Sequence, residues 1–146
     1  MTSQYIKKIL IIIFRWTAIP AGILHRQIFN RKVPNYINYG AGAYIAAYEV
    51  SLAVDIWTRG NHDGKERANE CIINQAETIE EPQTGAAYAR GERILQEMSA
   101  DIGAINASYT AYKTNIKGQE QQLPGLTQYS PDQLFFLAQA NVSLLL

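Results

Sequence analysis

The sequence predicts a mainly α-helical fold, and three observations carry this prediction. Apolar residues recur at helical spacing between residues 43 and 57, which indicates a largely buried helix. Residues 65–80 and 91–117 also show helical patterns, and we expect Gly103 to break the second of them. A helix-start signal then precedes a further apolar segment near the end of the sequence.

Residues 1–18 form a separate apolar segment, to which the sequence assigns no clear role. Its run Ile9–Phe14 is rich in β-branched isoleucine and is compatible with a short strand. Arg15 ends the run, which is far shorter than the roughly 20 apolar residues that span a bilayer. The segment also lacks a clear small-residue cleavage site, so we expect neither a membrane span nor a signal peptide here.

Glycine and proline mark the expected boundaries of the helices. We expect residues 40–42, Gly-Ala-Gly, to precede the start of the first long helix, and Pro82 to stop the second one. Gly118 is placed to cap the helix before it, and Pro124 with Gly125 predicts a turn. These predictions rest on the backbone conformations that proline and glycine allow.

The last helix has the clearest start signal. Ser130 is suited to the N-cap position, and Pro131 then occupies the first helical position. The expected apolar face consists of Leu134, Phe135, Leu137 and Ala138. The sequence closes on three leucines at residues 144–146, and we interpret this apolar end as a sign that the chain is cut short.

Composition excludes several classes of protein. Apolar residues make up 47% of the 146 residues, which is enough for a core and unlike a disordered chain. Thirteen basic residues balance thirteen acidic ones without a long block of either sign, so nucleic acid is not an expected partner. Cys71 is the only cysteine, so no intrachain disulfide can form, and we expect its thiol to be buried.

Four groups of short motifs occur in a specific order and spacing. They are Pro-Ala-Gly-Ile-Leu at 20–24; Ile-Asn-Tyr-Gly at 37–40 leading into Tyr-Glu-Val-Ser-Leu at 48–52; Glu-Met-Ser-Ala-Asp at 97–101; and Leu-Pro-Gly-Leu at 123–126 followed by Gln-Leu-Phe-Phe-Leu at 133–137. Together they resemble the C-terminal half of the neprilysin family of zinc metallopeptidases. The resemblance implies that residues 19–146 form a partial helical lobe of a neprilysin-like (gluzincin) catalytic domain, truncated relative to a full family member.

In that family, a His-Glu-x-x-His helix supplies two zinc ligands and the general base. Its spacing places both imidazoles on one helical face, where they converge on one metal ion. By this resemblance the two histidine positions are Tyr48 and Leu52, and only the general base, Glu49, matches. The resemblance also assigns the third zinc ligand to Glu97, and to Asp101 the aspartate that orients a zinc-bound histidine.

By the same resemblance, other family features are missing. Residues 7–10 stand where the family has an Asn-Ala-aromatic-Tyr substrate strand, and they do not match it. A loop after the zinc helix is deleted between Leu52 and Asp55, and the family's last histidine and arginine fall beyond the end of this sequence. Cys71 falls on a family half-cystine whose partner lies outside this sequence.

The resemblance therefore implies a pseudo-peptidase with no zinc or other cofactor, which acts, if at all, through protein or peptide binding. A related full-length peptidase is one candidate partner. Two alternatives stay open: a residual metalloendopeptidase that uses Glu49 and Glu97, and a gene remnant without a selected function. Family members are extracellular or membrane-anchored facing outside, but this sequence assigns no compartment of its own.

The site residues also have ordinary structural roles that can be checked. We expect Tyr48 and Leu52 to be ordinary packing residues of an apolar helix. Without a metal ion, an unpaired buried carboxylate would be costly. We therefore expect Glu49 and Glu97 to be exposed, paired with a base such as Arg93, or partly protonated, and we favour the first two.

Overall fold

The computed structural model describes residues 12–13, 16–17, 19, 21, 24, 28–57, 65–80, 83–85 and 91–144. Within these, the side chains of residues 12–13, 16–17, 54–57, 65 and 91–93 are not described. Several predictions lie outside the described residues: most of the segment 1–18 and of the motif 20–24, the stop at Pro82, the side chains of Asp55 and Arg93, and the last two leucines.

The described residues form a mainly helical fold, as predicted. Near the N-terminus, β1 (Ile12–Ile13) pairs antiparallel with β2 (Trp16–Thr17), and β1 lies inside the isoleucine-rich run. The remaining elements are helices. Among the described residues, no helix is both long enough and apolar enough to cross a membrane.

The first helical region begins earlier than predicted. It consists of α1 (Asn35–Asn38), a π-helical segment (Tyr39–Ala43) and α2 (Tyr44–Trp57), so the Gly-Ala-Gly motif lies inside the helical region and not before it. The reason is packing. A Cβ atom on Gly40 would lie 2.4 Å from the carbonyl oxygen of Phe135, so the glycine allows the close approach of another helix.

A carboxylate from a distant loop holds the start of α1. Pro34 is the N-cap residue and offers no side-chain acceptor. The oxygens of Glu120 instead accept hydrogen bonds from the backbone N–H groups of Asn35 at 3.1 Å and Tyr36 at 3.0 Å. This arrangement satisfies two of the free donors at a helix start and places a negative charge at the positive end of the helix dipole.

The second and third long helices are α3 (Lys65–Glu77) and α4 (Gly91–Asn115). The predicted break at Gly103 is wrong, because α4 runs through it without interruption. A Cβ atom on Gly103 would lie 2.8 Å from Ser51 Oγ, so this glycine also serves a close helix contact. The predicted continuation of α3 to residue 80 is also wrong, because the helix ends at Glu77. In the turn that follows, the hydroxyl of Thr78 donates to the Gln75 carbonyl oxygen at 2.7 Å.

The expected burial of Cys71 is wrong, since its thiol is exposed. Helix α3 buries little of its surface: Ala76 is buried and Ile72 is half-buried, whereas Ala68 is exposed. Cys71 therefore lies on the side of α3 that faces solvent. Its partner half-cystine is implied by the resemblance alone.

The turns and the last helix follow the sequence closely. The N–H of Leu126 bonds to the Leu123 carbonyl oxygen at 3.0 Å across the predicted turn, where Gly125 has a positive φ angle of 78°. Gly118 also has a positive φ angle, of 96°, but it lies three residues beyond Asn115, the last residue of α4, so it does not directly cap that helix. Helix α5 (Pro131–Ser143) starts with a capping box. Its Ser130 Oγ accepts from the Gln133 N–H at 3.2 Å, while Gln133 Oε1 accepts from the Ser130 N–H at 2.9 Å.

Two apolar clusters form the core. The first contains Ile28, Ala41, Tyr44, Ile45, Ala104 and Val142. The second is aromatic and contains Tyr36, Tyr112, Leu134 and Phe135. Helix α5 contributes to both clusters, but its predicted apolar face is only half correct: Leu134 and Phe135 are buried, whereas Leu137 is 49% exposed.

Candidate functional site

The residues assigned by resemblance lie where α2 packs against α4. Small residues on α4 allow the two helices to approach, because Ala100 and Ala104 are buried and Gly103 leaves room for Ser51. Side chains that project from α2 can therefore reach polar groups on α4. Within the described residues, this contact brings Tyr48 and Glu97 together.

Tyr48, at the first histidine position, donates a hydrogen bond from its hydroxyl to the carboxylate of Glu97. Its ring is half-buried and packs against the first core cluster, as expected for a packing residue. Burial and the bond to Glu97 raise the pKa of Tyr48 above its ordinary value. The phenol is therefore neutral near pH 7 and acts as a donor to Glu97.

A second tyrosine, which the sequence reasoning treated only as part of an apolar face, makes a parallel contact. Tyr44 is buried at 3% exposure, and its hydroxyl donates to Asp101. Burial and the bond to Asp101 raise its pKa, whereas the nearby side chains of Ser143 and Gln139 act in the opposite direction. The available signal was spacing: Tyr44 and Tyr48 are four residues apart, as are Glu97 and Asp101.

Glu49, which the resemblance assigns as the general base, is half-buried. Burial raises its pKa, and the nearby charge of Glu97 raises it further. Glu97 is exposed, which is one of the expected alternatives. Within the described residues, its carboxylate accepts a hydrogen bond from Tyr48. Pairing with Arg93 involves a side chain outside the described residues.

These residues do not fit a zinc ion. Leu52, at the second histidine position, is half-buried and has no atom that can coordinate a metal. The carboxylate of Glu97 accepts the Tyr48 hydroxyl. Across the part of the chain that is described, no three His, Cys, Asp or Glu side chains are grouped so that they could hold a metal ion.

Open clefts lie elsewhere on the molecule. One of about 500 Å³ is lined in part by Phe29, Arg31 and Tyr39, and another of about 360 Å³ lies around Lys32 and Glu120. Neither cleft is lined by any of the five residues that the resemblance assigns to catalysis or zinc binding. The site between α2 and α4 is therefore distinct from both clefts.

Comparison with known proteins supplies the context for this site. Residues 15–144 match the sequence profile of Peptidase family M13. The chain is 35% identical to Neprilysin-2 of Drosophila melanogaster over 135 residues, which cover 82% of this chain and 17% of the relative. It is 31% identical to Neprilysin-21 of Caenorhabditis elegans and 30% identical to Endothelin-converting enzyme 1 of Mus musculus, each over 84% of this chain and 18% of the relative. The chain thus spans less than a fifth of the length of these relatives.

Proposed function

The chain belongs to Peptidase family M13, the neprilysin family, and on that premise we propose that it is a non-catalytic relative of these peptidases. The contact between Tyr48 and Glu97 carries the proposal. The hydroxyl of Tyr48 donates a hydrogen bond to the carboxylate that the resemblance assigns as the third zinc ligand. Both other ligand positions hold residues that do not bind zinc in such sites.

Peptide hydrolysis in such a site needs an activated water molecule. Bound zinc lowers the pKa of water from 15.7 to about 7, and a catalytic zinc ion normally has three protein ligands. By resemblance, this chain supplies one of the three, Glu97. Without zinc, Glu49 has no bound water of lowered pKa to deprotonate.

The proposed role is binding of a protein or peptide. Apolar side chains on α5 and at its C-cap support it, because Phe136, Leu137 and Leu144 are 44%, 49% and 87% exposed. Groups of exposed apolar side chains are typical of interaction surfaces. A related full-length peptidase is one candidate partner.

The test is a cleavage assay of the purified full chain against a peptide library, with and without a chelator. An active neprilysin-type peptidase assayed in parallel is the positive control. We expect no cleavage above background under either condition. Chelator-sensitive cleavage by this chain, at a rate proportional to its concentration, would overturn the proposal.

A further inference from the structure

Two tyrosines on α2 face two carboxylates on α4. Tyr44 and Tyr48 are four residues apart, so they project from the same face of α2. Glu97 and Asp101 have the same spacing on α4. Each hydroxyl donates to one carboxylate, so the pairs form two adjacent links between the helices.

The two links differ in their surroundings. Tyr44 is buried and Asp101 is half-buried, so this link is shielded from solvent. The side chains of Ser143 and Gln139 lie close enough to Tyr44 to lower its pKa, so the end of α5 borders this link. Tyr48 is half-buried and Glu97 is exposed, so water competes more strongly for the second link.

The tyrosine rings also contact each other. Their centroids are 6.3 Å apart, with an interplanar angle of 40°. This contact orients the two hydroxyls toward the same helix. It also fills space between α2 and α4 that small residues such as Ala104 leave open.

The carboxylates on this face need hydrogen-bond donors. Glu97 and Asp101 are four residues apart on α4, so two carboxylates share this face. A bound cation would compensate for this charge, but no group of side chains among the described residues fits a metal ion. Neutral tyrosine hydroxyls supply donors to Glu97 and Asp101 without a metal ion.

We propose that the pairs Tyr44–Asp101 and Tyr48–Glu97 act as a metal-independent clasp, which holds α2 against α4 and keeps Glu97 engaged. The clasp makes the packing of these helices independent of zinc. Tyr44 and Tyr48 thus position the carboxylates of Asp101 and Glu97. This role does not require that the chain bind any partner.

The first test is the thermal unfolding of three variants of the full chain. Hydrogen bonds to charged groups contribute roughly 1.5–3 kcal/mol when shielded, and each kcal/mol shifts the Tm of a domain of this size by about 3 °C. We expect Tyr44→Phe to lower Tm by about 5 °C or more, and Tyr48→Phe by about 2–4 °C. Tyr129→Phe removes the same hydroxyl from an exposed turn and should change Tm by less than about 2 °C.

The second test separates the hydrogen bonds from general packing. Glu97→Gln and Asp101→Asn retain an oxygen that can accept from tyrosine, whereas Glu97→Met and Asp101→Leu keep a similar shape without an acceptor. We expect the decrease in Tm of each amide variant to be less than half the decrease of its apolar counterpart. Equal losses within each pair, or Tyr→Phe losses no greater than that of Tyr129→Phe, would overturn the clasp.

Two measurements on the unaltered chain complete the test. Its Tm should be the same with chelator, with added zinc and with neither, and a zinc-dependent rise would contradict the proposal. If the Tyr44→Phe variant does not fold, the hydroxyl proton of Tyr44 can be observed by NMR in the unaltered chain. It should exchange slowly with solvent, and rapid exchange in the folded chain would overturn the shielded link.

Discussion

Tyr48 of α2 donates its hydroxyl hydrogen bond to the carboxylate of Glu97 on α4. The two residues are 49 positions apart in the sequence, and only the fold brings them together. Tyr48 stands at the position of a zinc-binding histidine by resemblance, and Glu97 at that of a zinc-binding glutamate. By that resemblance, a direct bond between the two takes the place of a shared metal ion.

Restoring both histidines tests this relationship from the opposite direction. The double variant Tyr48→His, Leu52→His would place two imidazoles on one helical face, facing Glu97. We expect its zinc affinity, measured by calorimetric titration, to exceed that of the unaltered chain by more than about tenfold. Peptide cleavage should stay inefficient, because residues 7–10 do not match the substrate strand that the resemblance implies. Unchanged zinc affinity would show that Glu97 is not placed as a ligand.

The Gly40 contact predicts a strongly unfavourable substitution. Gly40→Ala would place a Cβ atom 2.4 Å from the Phe135 carbonyl oxygen, so the π-helical segment and α5 must separate. We expect a loss of about 1–3 kcal/mol in the free energy of unfolding by urea, despite the higher helix propensity of alanine. The reverse exchange at an exposed site of α4, Ala107→Gly, measures that propensity alone. A stabilised Gly40→Ala variant would contradict this account.

Glu120 should stabilise the start of α1 through its carboxylate. Glu120→Ala removes both acceptors of the Asn35 and Tyr36 N–H groups, and we expect a loss of about 1–2 kcal/mol in unfolding free energy. Glu120→Gln keeps an acceptor without the charge and should lose less. Gln119→Ala is the control in the same loop, because its side chain is exposed. Equal stability of Glu120→Ala and Gln119→Ala would exclude this capping role.

The alternative of residual peptidase activity has its own test. General bases contribute roughly 10²- to 10⁴-fold to a reaction, so a peptidase that depends on Glu49 would lose most of its rate in Glu49→Gln. We expect any background cleavage in a preparation of this chain to be unchanged by that substitution. A loss of 100-fold or more would instead support catalysis by Glu49.

The sequence was most informative where structure depends on near neighbours. The start of α5 was predicted because Ser130, Pro131 and Gln133 act on the same helical turn. The turn at Gly125 was predicted for the same reason, since a positive φ favours glycine wherever it occurs. The helical fold class also followed from local patterns.

Misassignments arose where a residue serves a distant contact. Gly40 and Gly103 were interpreted as helix boundaries, yet both lie inside helical segments because each makes room for another element, near Phe135 and Ser51 respectively. Composition alone does not distinguish a glycine that breaks a helix from one that lets helices approach.

Part of the candidate site was hidden for a similar reason. Tyr44 donates a hydrogen bond to a carboxylate 57 positions away, so no local sequence pattern identified its hydroxyl as part of the site. The residues assigned by resemblance to the zinc helix and to α4 do meet at one contact, between Tyr48 and Glu97. The assignment of these residues to a non-catalytic site stays a prediction.

The most direct test of the central claim is the zinc content of the full chain. The purified protein would be incubated with one equivalent of zinc, passed through buffer exchange and weighed by native mass spectrometry. With Tyr48 and Leu52 at the ligand positions, the account predicts the mass of the metal-free chain. Retention of one zinc ion per folded chain would contradict it.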